Sequence, residues 1–124
     1  MIWSQVANQT VDCCTSTNDL AKKLGELSYP HGTWVGAYSQ TQGRGRQGKT
    51  WFSPKGNLYL SFLIREVDPA YWNWVPLAIA VSVVKKLREC YGLKVYVKWP
   101  NDFWVKEKKL GGLLCEGQFQ EKNA

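Results

Sequence analysis

The segment Gly43-Arg44-Gly45-Arg46-Gln47-Gly48-Lys49-Thr50 sets three cations among three glycines. Glycine lets a backbone approach a ligand closely and change conformation widely, and guanidinium groups present forked donors to phosphate or carboxylate. Such a loop can close over an anion, or it can be a solvated basic hairpin; the segment alone leaves both readings open. It also satisfies two phosphate-loop expressions, G-x-x-x-x-G-K-[ST] and G-x-G-x-x-G. Both require a helix directly after the loop, because the helix N-terminus holds the phosphate. Here the chain leaves through Trp51-Phe52-Ser53-Pro54-Lys55-Gly56-Asn57, which is turn chemistry, and the next regular run, residues 58–64, is β-rich. No apolar strand ending in a Walker-B aspartate stands out, so the P-loop and the dinucleotide loop are set aside.

The elements around the loop must hold it in place. Thr10-Val11-Asp12-Cys13-Cys14 reads as a short strand, and Ser16-Thr17-Asn18-Asp19 supplies N-caps for a helix carrying Leu20, Ala21, Leu24 and Leu27. Tyr29-Pro30-His31-Gly32 stops that helix, and a second strand over residues 33–39 runs into the glycine segment. Asp68-Pro69 opens the longest helical pattern, with Leu77, Ala80, Val81, Val84 and Leu87 on one stripe and Gly92 closing it. Pro76 inside the pattern predicts either a kink or a helix start near Trp74. Residues 95–99 form a strand ending in Pro100-Asn101-Asp102, and residues 103–116 form a hairpin with a charged tip at Lys106-Glu107-Lys108-Lys109. The order predicts the α/β class, an α+β mixed sheet with helices packed on it.

Composition narrows the rest. A chain of 124 residues suits one modest domain, residues 1–124, with one core. A 44% hydrophobic and 21% charged content argues against general disorder. The formal charge of +6 attracts anionic partners, with nucleotide, nucleic acid and an acidic carrier protein all qualifying. No apolar run approaches the roughly 20 residues that span a bilayer, and the N-terminus lacks a signal-peptide pattern, so the cytoplasm and no membrane partner are expected. Four cysteines without a C-x-x-C pair, and a single His31, predict no structural metal and buried, reduced thiols. The seven tryptophans follow no constant interval, and most are expected in the core.

Four ordered segments carry a resemblance. Ser16-Thr17-Asn18, the run from Gln40 through Gly43-Arg44-Gly45-Arg46 to Trp51, Lys98-Trp99-Pro100-Asn101-Asp102, and Lys109-Leu110-Gly111-Gly112-Leu113-Leu114-Cys115-Glu116 together resemble the biotin protein ligase family. The resemblance implies a catalytic domain of the class II aminoacyl-tRNA synthetase and biotin ligase-like fold. It implies an ATP-dependent enzyme that activates biotin as biotinyl-5'-AMP and transfers it to a lysine of a biotin carrier protein, such as the carrier subunit of acetyl-CoA carboxylase.

The roles follow position by position. Ser16, Thr17, Asn18 and Gln40 would bind the ureido ring, whose two N–H donors and carbonyl suit hydroxyls and amides. Gly43, Arg44, Gly45 and Arg46 would close over biotin's carboxylate and the α-phosphate, and Lys109 would touch both reacting groups, with Lys109 and Arg46 as the catalytic pair. Arg44, Arg46, Lys49, Trp51, Lys98 and Asn101 would serve the nucleotide, and Asp102 would hold Mg²⁺ through water or orient Lys109. Each has a plainer reading beside it: helix capping for Ser16 and Thr17, core packing for Trp51, a surface charge for Lys98, and a turn for Asn101 and Asp102.

The resemblance also marks what is not expected. The short stretch before Ser16 leaves no room for the DNA-binding winged helix of repressor members, so no specific DNA partner is expected. Family members continue beyond this length with further strands and a small β-barrel-like domain, so the chain reads as truncated at its C-terminus, weak or inactive alone, and open to association, including a homodimer. The related lipoate ligases and a basic nucleic-acid-binding module are the competing readings.

Overall fold

A single hydroxyl organises the junction between the first strand and the first helix. Ser16 has an extended backbone, and its Oγ accepts from the Asn18 N–H at 3.2 Å, which starts the helix α1 (Thr17–Glu26) after the strand β1 (Gln9–Cys14). Asp19 in the first turn and Lys23 in the last complement the helix dipole. The computed structural model describes residues 2–118, which divide into two compact units, Val67–Cys115 and the remainder.

In the first unit, α1 buries Leu20, Ala21 and Leu24 against Val35 and Val6. Val35 belongs to β2 (Trp34–Gln40), which runs parallel to β1 and antiparallel to β3 (Tyr59–Phe62). The result is a mixed sheet of order β1-β2-β3 with α1 connecting its parallel pair, as parallel strands require a crossover. Alternation sorts the side chains of β3. Tyr59 and Ser61 are buried, while Leu60 and Phe62 are exposed.

In the second unit, Asp68 caps a 3₁₀ turn (Pro69–Trp74) by accepting from the Ala70 N–H, and α2 (Val75–Tyr91) follows. Pro76 therefore lies in the first turn of α2, where its missing N–H has no intrahelical partner to lose, and it marks a start and not a kink. Gly92 adopts φ 62° and closes the helix with its N–H on the Arg88 carbonyl. Ala80, Val83, Val84 and Leu87 pack on Val95 and Phe103. The strands β4 (Val95–Lys98), β5 (Asp102–Val105) and β6 (Lys108–Gly112) form an antiparallel meander. Arg88 donates twice to the Val95 carbonyl, tying the end of α2 to β4. Among the described residues no helix is long and apolar enough to cross a membrane.

The mixed α/β organisation read from the sequence holds, but three expectations change. The described strands form two three-stranded sheets with two buried clusters, where one core was expected. The four cysteines are free thiols, yet Cys13, Cys90 and Cys115 are exposed and only Cys14 is half-buried. Cys13 lies on β1, which pairs on one side only, and Cys90 lies beyond Leu87, the last packed residue of α2. None of the tryptophans is fully buried; Trp74 and Trp99 are exposed and the others half-buried. One helix against three strands is too thin a layer to cover the largest side chain on all sides.

Leu24 is fully buried at the centre of the first cluster. Leu24→Ala is expected to destabilise the chain by about 2–5 kcal/mol in urea denaturation, as cavity-forming substitutions do; a change within error would place the core elsewhere.

Candidate active site

The start of α1 leaves backbone N–H groups without helical partners. The Thr17 N–H donates to Gln40 Oε1 at 2.7 Å, across from the last residue of β2. The Gln40 amide nitrogen donates in turn to Ser53 Oγ at 3.0 Å, and Ser53 Oγ donates to the Trp51 carbonyl at 2.8 Å. Thr17 Oγ1 shares a 2.7 Å hydrogen bond with Ser61 Oγ, which is also bonded to Asn18 Oδ1. Ser16, Thr17, Ser53 and Ser61 are all buried. Buried polar groups must be paired, so this seam of hydroxyls and amides is held rigidly between helix and sheet.

The glycine segment leaves β2 at this seam. Gly43 is confined: a Cβ there would lie 2.5 Å from the Trp51 carbonyl oxygen and 2.9 Å from the Gln40 amide nitrogen. Beyond it the chain is a hairpin, with Arg44 bridged to Thr50 and the Gly45 N–H donating to the Lys49 carbonyl at 2.7 Å. Its tip, Arg46–Gly48, turns through left-handed backbone at Gln47 and Gly48. No helix follows, in agreement with setting the P-loop aside. The Trp51 ring is half-buried and lies 3.9 Å from where a Gly45 Cβ would stand.

One carboxylate collects the charges. Glu116 accepts from Arg44 Nη2 at 2.7 Å and Nε at 3.4 Å, from Lys22 Nζ at 2.9 Å and from Asn18 Nδ2 at 2.9 Å. Arg44 Nη1 is also paired with Asp19 at 2.9 Å. Burial pushes the Glu116 carboxyl up, but the hydrogen bonds from Lys22, Asn18 and Arg44 and the charge of Lys22 outweigh it and hold the group at about 2. The bond to Glu116 shifts Arg44 in the other direction, further above its ordinary value. Burial, with Cys13 and Asp19 nearby, pushes the Cys14 thiol up to about 11, so it is no nucleophile at neutral pH.

The first unit therefore brings together Ser16, Thr17, Asn18, Gln40, Gly43 and Arg44. Gly45, Arg46, Lys49 and Trp51 lie on the hairpin, where Arg46 and Lys49 are exposed and have no side-chain partner among the described residues. In the second unit Lys109 Nζ is 3.2 Å from Asp102, and Lys98 lies over the Trp104 ring at 4.6 Å. Asn101 is bonded to Leu113 through both its side chain and its carbonyl. Sequence reasoning missed Ser53, Ser61, Asp19 as an ion-pair partner, and Glu116. Ser61 could have been found as the polar residue in step with Tyr59 in a β-rich run. Glu116 ends a recognised motif, but only the fold shows what its carboxylate meets.

Residues 10–124 match the biotin/lipoate A/B protein ligase family. The chain belongs to that family. It is 44% identical over 104 residues to the bifunctional ligase/repressor BirA of Escherichia coli (strain K12), matching 82% of this chain and 32% of that protein. It is 38% identical over 112 residues to the protein of the same name from Bacillus subtilis (strain 168), matching 89% of this chain and 34% of that protein. This family member thus spans about a third of the length of those curated relatives. The biotin protein ligase of Aquifex aeolicus, solved with biotin and ATP, superposes with a TM-score of 0.71 at 36% identity, over 86% of this chain and 45% of that one. The Leishmania major biotin protein ligase, solved with biotinyl-5-AMP, gives 0.67 at 32% identity, over 89% and 51%. The fold is that of the biotin protein ligases.

The depressed Glu116 value has a consequence for stability. A carboxyl held low in the folded state contributes stability that is complete above its ordinary 4.5 and is lost as pH falls through about 2. Denaturation midpoints should fall more steeply over that window for the natural chain than for Glu116→Gln. Parallel curves would show that the carboxyl gains nothing from its partners.

Proposed function

We propose that this biotin/lipoate ligase family member performs biotin protein ligase chemistry: ATP-dependent formation of biotinyl-5'-AMP, then transfer of biotin to a lysine of a carrier protein such as the acetyl-CoA carboxylase carrier subunit. The observation that carries the reading is the meeting, in one unit, of a rigid hydroxyl and amide seam with a glycine hairpin that presents arginine. The seam suits a ureido ring, which needs acceptors for two N–H groups and donors for one carbonyl. Ser16, Thr17, Asn18 and Gln40 take that role, and their capping bonds hold them ready for it.

The reaction needs no enzyme nucleophile. A biotin carboxylate oxygen attacks the α-phosphorus of ATP, the bond to the β-phosphate oxygen breaks, and pyrophosphate leaves. Two anions must be held in contact and the added charge on phosphorus stabilised. Arg46 and Lys109 supply that charge, with Arg44, Lys49 and Lys98 adding positive potential and Trp51 offering a face for adenine. The carrier's neutral amine then attacks the mixed anhydride; the amide forms, AMP leaves, and the amine's proton passes to solvent.

Mg²⁺ enters with the nucleotide as part of the substrate. Among the described residues no three His, Cys, Asp or Glu side chains group to hold an ion. Asp102 is paired with Lys109, so orienting that lysine is the role its geometry supports best. The charge of +6 favours both ATP and an acidic carrier surface.

Calorimetry with biotin, with and without a non-hydrolysable ATP analogue, tests the reading. Biotin should bind, the analogue should tighten it, and lipoate should compete poorly. Arg46→Ala should weaken adenylate retention by about tenfold or more while changing biotin affinity less, as expected for a charge-assisted contact to phosphate. Absence of biotin binding, or a preference for lipoate, would overturn the assignment.

A further inference from the structure

We propose that Glu116 is a positioning residue that divides the glycine hairpin into an anchored half and a free half. Its carboxylate fixes Arg44 against α1 before any ligand arrives, leaving only the Arg46-to-Lys49 half for the ligand to order. This rests, for its ligand half, on the biotin ligase reading above.

The anchored half is described by five contacts. Glu116 takes two N–H groups of Arg44, and Asp19 takes a third. The same carboxylate holds Asn18 and Lys22 on α1. The Glu116 and Arg44 side chains are only 25% and 28% exposed, so this is not a loose surface pair. Below Arg44, the Gly43 backbone lies so close to Trp51 and Gln40 that no Cβ would fit there. Past Arg44, Arg46 and Lys49 project into solvent around a left-handed turn.

Charge is divided along the same line as the side-chain contacts. Lys22 and Arg44 face Glu116 and Asp19, and the four charges cancel. Arg44 therefore contributes little long-range attraction to an anion. A guanidinium has five N–H donors, so with three occupied, two are still available to orient a bound carboxylate. Attraction falls to Arg46 and Lys49, whose charges are uncompensated. Preordering one half of a loop lowers the conformational entropy that binding must offset.

Limited trypsin digestion of the unliganded chain, with the cut sites assigned by mass spectrometry, reads the division directly. Cleavage after Arg46 and Lys49 is expected, with cleavage after Arg44 slower by about tenfold or more, since proteolysis tracks local opening. Glu116→Gln should abolish that difference and weaken biotin binding by about tenfold, the effect of losing a charge-assisted pair. In an Arg44→Ala background, Glu116→Gln should cost no further affinity, because the two act as one unit. A merely structural role for Glu116 would lower affinity equally in both backgrounds and would overturn the proposal. Equal cutting at all three sites in the natural chain overturns the anchored half without any variant. A natural chain that shows the cutting pattern but binds no biotin overturns the ligase reading and the ligand half of this proposal, while leaving the anchor established. Intact biotin binding with no cutting difference overturns the anchor alone.

Discussion

The Thr17 N–H cannot be satisfied within its own helix, and the amide of Gln40 accepts it. That bond joins the first turn of α1 to the last residue of β2. Because β2 leads directly into the glycine hairpin, it also sets where the hairpin departs. Gln40 then uses its nitrogen to hold Ser53, which in turn holds the Trp51 carbonyl on the far side of the hairpin. The two sides of the hairpin are therefore closed at their base by the Gln40 and Ser53 side chains, beside the backbone bonds from the Gln40 N–H to Ser53 and from the Trp51 N–H to Gly43, and Gly43 is the residue whose missing Cβ lets them close. Without the hydrophobic cluster of Leu24 and Val35 beneath, these polar groups would be solvated and would gain little from one another.

Local signals in the sequence proved readable where a single residue decides the backbone. Ser16 among four candidate N-caps, Pro76 as either a kink or a helix start, and Gly92 as a stop act within one turn, and the structure selects the Ser16 cap and the helix start. The absence of a helix after Lys49 was likewise visible in Pro54 and Gly56. What could not be read is pairing between distant segments. Alternation shows that residues 59–62 form a strand but not which strand accepts it, so the division into two sheets was hidden. The same limit applies to burial. Cys13 and Cys90 are apolar by composition, but a thiol on an edge strand or past the packed end of a helix has nothing to cover it.

For the candidate site, motif residues were visible and their support was not. Ser61 is separated from Thr17 by most of the first unit's sequence, yet it completes the bonding of both Thr17 and Asn18. Glu116 lies farther still, and nothing in its neighbours announces that it will meet Arg44, Lys22 and Asn18. Residue types that touch a ligand recur in compact strings. Residues that hold those types in place are scattered, since any segment that passes nearby can supply a hydroxyl or a carboxylate.

On the proposed ligase chemistry, the distribution of ion pairs would separate two tasks of the hairpin. Bringing two anions together requires positive charge that is free to be compensated by them. Holding them in register requires donors whose direction does not change. A single arginine serves both poorly, since a partner that fixes its direction also cancels its charge. Here the cancelled arginine is Arg44, seated at the base of the hairpin beside the amide seam, and the uncompensated charges are Arg46 in its tip and Lys49 just past it. In the second unit Lys109 is paired with Asp102 at 3.2 Å, with both side chains partly exposed, so solvent weakens that pair. On that proposal, division of direction from charge would account for more than one cation in the loop, with glycines between them to let the attracting half move while Arg44 stays paired to the helix.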